Sequence, residues 1–175
     1  MTGRQQVKTI GFTWGIGGVL LLLLFAVYRL APIALDLENS ALSTWHWAIL
    51  LLCIVFMAYA EGYKGFHRAF APRVVRRASY LRDNPRLLHI LLAPLFCMGY
   101  IYATRRRKLT SFGVTTMVIC FVLVARMLPQ PWRGIIDAGV VVGLSMGIAS
   151  IIYFLIIANK GHGLVGISAE VPGDT

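Results

Sequence analysis

Glu61, His67 and His89 carry the donor types that bind transition metals or move protons, and all three fall at the ends of apolar runs. A carboxylate with two imidazoles suits a metal site or general acid–base chemistry. Such a polar cytoplasmic cluster would form if Glu61, closing one apolar run, met His89, one turn into another, with Cys97 two turns farther along a similar face. The spacing gives it little support. No HxxxH, HExxH or CxxC pattern is present, and a haem pair would want histidines at matched depths on facing helices. Pairing of Glu61 with Lys64, Arg68 or Arg86 is the plainer expectation. His46 lies between Trp45 and Trp47, and His162 in the tail. Cys53, Cys97 and Cys120 sit inside apolar segments and read as small buried hydrophobes. Neither a metal nor a cofactor is expected.

Asp137 is the one acid well inside the last apolar run. A carboxylate in lipid needs a partner, and Arg133, four residues earlier, and Arg126, across a short turn, are in reach; a buried ion pair is expected. An ion or proton pathway would need further acids deeper in this helix, and it has none. Gly139, Gly143 and Gly147 recur every four residues and line one helix face, with a looser version in Gly11, Gly15 and Gly18. Small residues let helix backbones approach closely in lipid, either within the chain or against a second copy or membrane-protein partner.

Basic residues are the most frequent polar feature. Arg73, Arg76 and Arg77 precede the contested segment 87–104, and Arg105, Arg106, Arg107 and Lys108 follow it. Seventeen Lys and Arg against seven Asp and Glu leave a net charge of +10, yet these cations punctuate apolar runs instead of coating a polar domain. The expected polyanion is therefore the anionic lipid head-group layer and not nucleic acid. With 58% hydrophobic and only 14% charged residues, the chain reads as an all-α integral membrane protein. Nucleotide-binding, kinase, hydrolase and metalloprotease signatures are absent from the sequence.

The elements follow from apolar length. Residues 1–9 form a basic cytoplasmic start, and the apolar run that follows is longer than the roughly 7–15-residue core of a signal peptide, so 10–30 reads as an uncleaved first span. An acidic external loop covers 31–44, and a second span 45–63. Residues 64–86 read as a basic cytoplasmic loop in which "PRVVRRASYLR" forms an amphipathic helix, with Val74, Ala78 and Leu81 on its apolar stripe and the arginines around the rest. A basic turn at 105–109, spans at 110–128 and 134–158, an external turn at 129–133 and a Gly-rich cytoplasmic tail at 159–175 complete the chain.

The segment 87–104 decides the topology. If it crosses, Arg29, Arg105, Arg106, Arg107, Lys108 and Lys160 lie outside; if it dips and returns, only Arg29, Arg126 and Arg133 do. The second arrangement fits the positive-inside rule better, and Pro94 and Gly99 supply break points. The expectation is four transmembrane helices plus one short re-entrant or shallow helix, the alternative being five full spans. Both termini are expected in the cytoplasm of a bacterium, across its inner membrane. The expected function is that of an accessory or scaffold protein, without enzyme activity, acting through helix packing and a basic lipid-binding face. A transporter or channel subunit is the first alternative, and an enzyme acting on lipid through Glu61 and His89 the second.

Overall fold

A computed structural model describes residues 3–160 and 168–171, with side chains from residue 8 onward. His162, and residues 161–167 and 172–175 of the expected tail, lie outside the described residues. Among the described residues, all regular structure is helical. Helix α1 (Gly3–Leu35) ends in a 3₁₀ turn, Asp36–Asn39. Helix α2 (Thr44–Met57) opens with a capping box: the Ser43 amide donates to His46 Nδ1 at 3.1 Å, so His46 is a cap.

Helix then continues without a break to Asp83, through a π-helical stretch (Ala58–Phe70) and α3 (Ala71–Asp83). The loop expected over 64–86 is thus helical as far as Asp83. No proline falls between Ala58 and Ala71, and Pro72 sits where the π-helical stretch passes into α3, so its missing N–H removes one hydrogen bond without ending the helix. Asn84 precedes Pro85, which disfavours helical backbone at Asn84 and ends the rod.

Segment 87–104 holds two short helices, α4 (Leu87–Leu91) and α5 (Ala93–Met98). Pro94 lacks the amide that would continue α4, so the chain breaks at Leu92. Gly99, at φ +86°, closes α5: its own amide donates to the Phe96 carbonyl and the Tyr100 amide to that of Leu95. Helix α6 (Arg105–Met127) takes up the expected basic turn at 105–109 as its first turn, and α7 is Trp132–Asn159. Before α7, the Gln130 carboxamide accepts from the Gly134 amide and donates to the Ile33 carbonyl.

Four helical stretches among the described residues are long and apolar enough to cross a membrane: Lys8–Asn39, Thr44–Asp83, Arg105–Met127 and Trp132–Asn159. The chain divides into two compact units. The first comprises the described residues of Met1–Leu21, Phe70–Thr115 and Ile151–Thr175. Its core is the face of α3 carrying Val74, Val75, Ala78 and Leu81, with Ala93, Phe96 and Cys97 of α5. Gly11, Gly15 and Gly18 of α1 make room for Ile90, for Cys97 and Ala93, and for Pro94.

The second unit comprises Leu22–Ala69 and Thr116–Ser150. Here the glycine face of α7 seats the α2 and π-helical side chains: Gly139 faces Cys53 and Met57, Gly143 faces Glu61, and Gly147 faces the Phe66 ring. A π-helix of thirteen residues is far longer than the usual single turn, so it leans on this packing. Each glycine face is occupied by side chains of its own chain.

The glycine contacts predict an ordered set of variants. A Cβ at Gly18 would overlap the Pro94 ring, whereas one at Gly17 would meet nothing within 4 Å. Gly18→Leu should cost about 1–3 kcal/mol of stability and Gly17→Leu far less, read as melting temperatures in detergent. Equal melting temperatures for the two would show that Gly18 is not at a helix contact.

Candidate functional site

The site is built around a buried arginine. On α3, Arg77 follows Val74 by three residues and precedes Leu81 by four, so helical geometry turns it toward the same interior. It is 1% exposed. Its Nε donates to the Phe96 carbonyl at 2.6 Å and Nη1 to that of Ala169 at 2.6 Å. Nη2 donates to Ile101 and Tyr102 carbonyls at 2.9 and 3.0 Å, and the guanidinium lies 4.4 Å from the Phe96 ring centroid. Carbonyl dipoles, with the ring face, thus solvate this cation where water cannot.

Tyr102 is held in the left-handed region at φ +47°, uncommon for an aromatic residue and costing about 1–3 kcal/mol. Arg77 grips the carbonyls on both sides of that strained residue. Beside it, the Glu170 carboxylate receives Arg73 Nη1 at 3.7 Å and Arg107 Nε at 3.5 Å. These are ionic contacts and not hydrogen bonds, since Arg107 Nε and Glu170 Oε2 are without a hydrogen-bond partner among the described residues. The Glu170 carbonyl also accepts from the Thr104 amide.

Tyr102, so placed, forms a wall of a cleft of about 470 Å³. His89 stacks on Phe96 and Tyr102 with centroids 5.2 and 4.9 Å away, and the Arg86 guanidinium lies 5.2 Å from the Tyr102 centroid. Lys8 of α1, Tyr80, and Asp83 with Asn84 and Pro85 at the end of α3 complete the lining. Burial first, then the charges of Arg86 and Arg77, hold His89 below the ordinary imidazole value, so its ring is neutral near pH 7. Behind it, burial pushes the Cys97 thiol up to about 12, against the smaller opposing pull of Arg77. Cys97 is therefore a packing residue and not a thiolate. The cleft presents cations and hydroxyl donors against one carboxylate: chemistry for holding an anion.

The other expected residues scatter. Glu61 packs on Gly143 in the second unit, its Oε2 buried without a hydrogen-bond partner among the described residues. Lys64, an expected partner of Glu61, lies over the Tyr59 ring. His67 Nδ1 meets Ser150 Oγ at 3.2 Å, and its ring stacks on Tyr63. His89 belongs to the first unit, and no group of three or more His, Cys, Asp or Glu suited to a metal occurs among the described residues. Asp137, 5% exposed, pairs with Arg133 at 3.7 Å, while Arg126 is exposed and forms no such pair among the described residues.

Of the arginines assigned to lipid head groups, Arg77 and Arg107 are buried, which corrects that assignment: backbone carbonyls take one and Glu170 the other. Arg73 is tied to Glu170 and Arg76 is half-buried, leaving Arg105, Arg106 and Lys108 exposed. Arg77 was legible as an interior position from its spacing to Val74 and Leu81. Its charge masked that signal.

No family model, curated protein or solved structure matches this chain. The functional reading rests on geometry.

Two outcomes follow. Arg77→Met should strand the carbonyls of Ala169, Ile101 and Tyr102, that of Phe96 keeping the Gly99 amide, at about 1–3 kcal/mol for each left unsatisfied, and Arg77→Lys should recover only part of the loss, because an ammonium lacks the planar fork. Detergent melting curves that match wild type for both variants would remove Arg77 from its central place. His89 has a lowered pKa in the fold, so its contribution is present above the ordinary value of 6.5 and fades as pH falls, when the unfolded chain takes the proton first. Lys8, Asp83, Tyr80, Arg86 and Tyr102 face it from the cleft, with Arg77 behind. His89→Gln should flatten the fall of stability with pH below the ordinary imidazole value of about 6.5.

Proposed function

We propose that this chain is a small membrane accessory protein with four full spans and a shallow re-entrant segment over 87–104. Its working surface is the basic end, held against anionic head groups of the cytoplasmic leaflet and open to a membrane-protein partner. One observation carries the reading: Arg73, before the contested segment, and Arg107, after it, both reach the carboxylate of Glu170. Two flanks that share one carboxylate lie on one side of a bilayer whose hydrocarbon is about 30 Å thick. The lengths of α4 and α5, five and six residues, support the same conclusion, since each would extend only about 8–9 Å.

The positive-inside rule then assigns this end to the cytoplasm, and with it both chain termini, in a bacterial inner membrane. Exposed Arg105, Arg106 and Lys108, with Arg82 and Arg86, supply the charge, each worth about 1 kcal/mol near an anionic leaflet. With the glycine faces of α1 and α7 filled from within, a partner helix or second copy would use the exposed apolar faces of α2 or α6, such as Leu51, Leu52 and Val55.

Single cysteines at positions 82 and 106, in a background lacking Cys53, Cys97 and Cys120, test the topology. An impermeant maleimide added to oriented vesicles should label both from the same side. Labelling from opposite sides would mean five spans and would overturn the shared basic face.

A further inference from the structure

The cleft beside His89 joins two kinds of surface that an amphiphile needs together. Its polar lining sets Lys8, Arg86, His89 and the Tyr80 and Tyr102 side chains against a single acid, Asp83, which has Arg82 4.0 Å away. Its volume, about 470 Å³, lies in the range of small-ligand sites. Immediately along the chain the surface turns apolar: Leu87, Leu88 and Leu91 are 82%, 74% and 71% exposed. Trp14, whose indole N–H donates to the Leu91 carbonyl, extends that surface onto α1. Leu87 and Leu88 stand between Arg86 and His89 in sequence, so cationic cleft and apolar rim are continuous.

We propose that this cleft is a binding site for the phosphate head group of one phospholipid, whose acyl chains lie along the rim formed by Leu87, Leu88, Leu91 and Trp14. The phosphate accepts from Lys8 and Arg86 and from the phenols, and neutral His89 offers a further N–H. Arg77 is a positioning residue here: by gripping the carbonyls of Ile101 and Tyr102 it keeps the Tyr102 wall in its strained conformation. The charges that disfavour a proton on His89, Arg86 foremost among them, are those an anion would offset, so occupancy raises the ring's pKa. The inference rests on the proposed topology, which brings the cleft to the head-group layer, and adds to it a discrete site.

The test uses the full chain in nanodiscs of phosphatidylcholine with a minority of phosphatidylglycerol, read by native mass spectrometry of retained lipid and by the NMR titration of His89. Wild type should retain phosphatidylglycerol and show an upward shift of the His89 midpoint relative to pure phosphatidylcholine. Lys8→Gln and Arg86→Gln should each lower retention about fivefold, while Arg105→Gln with Arg106→Gln, on the basic face but outside the cleft, lowers it by less than either. Equal losses from both sets would overturn the site while leaving a diffuse basic face intact. No retention by wild type would overturn the site and the lipid-binding reading together, with the cysteine labelling still deciding topology. An equal His89 shift produced by inorganic phosphate or glycerol 3-phosphate, without preference for the lipid, would overturn the assignment to phospholipid.

Discussion

The architecture of the first unit depends on how one buried cation is solvated. A guanidinium removed from water is tolerable only if its N–H groups meet oxygen, and at Arg77 those oxygens are backbone carbonyls of Phe96, Ile101, Tyr102 and Ala169. Two of the four, Ile101 and Tyr102, belong to the stretch that leaves α5 and turns toward α6. That stretch is irregular, so its carbonyls have no helical partners, and arginine, with five donors in a fixed plane, satisfies several at once. The same bonds hold Tyr102 in a left-handed conformation and bring residue 169 against α3, while Glu170 links Arg73 to Arg107. A lysine could not span those directions.

The two units meet a shared problem of membrane proteins in different ways. Hydrophobic burial supplies little drive for helix association in lipid, so close backbone approach has to do it. In the first unit the small residues of α1 admit a broken helix, with Pro94 seated on Gly18 and Cys97 on Gly15. In the second, the small residues of α7 admit a π-helical stretch, with Glu61 seated on Gly143 and Phe66 on Gly147. Gly15, Gly18, Gly143 and Gly147 lie opposite the broken segment or the π-helical stretch, whereas Gly139 faces regular α2. Broken and widened helices bring side chains forward at irregular spacing, and the absence of a Cβ gives room for them.

Much of the fold was readable from local signals. Apolar run lengths predicted four helices able to cross a membrane, and the stop at Asn84–Pro85 and the break near Pro94 follow from proline chemistry. Val74, Ala78 and Leu81, spaced as an apolar stripe, are all buried, and Asp137 lies 3.7 Å from Arg133. Helix boundaries were less legible. Charge made 64–86 read as a loop and 105–109 as a turn, although arginine and lysine are good helix formers and the helix carries them as far as Asp83 and from Arg105 onward.

Composition, periodicity and the positions of prolines and glycines determined by themselves that this chain is helical, membrane-embedded and basic, because those signals act within a turn or two of the residue that carries them. Only the tertiary structure decided which arginines are exposed and which face carbonyls, and which polar residues gather into a cleft. Arg77 and Arg76 are neighbours of identical chemistry, yet the first is sealed among carbonyls from as far as residue 169 while the second is only half-buried. Solvation of a charge depends on what lies within a few ångströms of it in space, and for Arg77 those atoms come from residues 19 to 92 positions away.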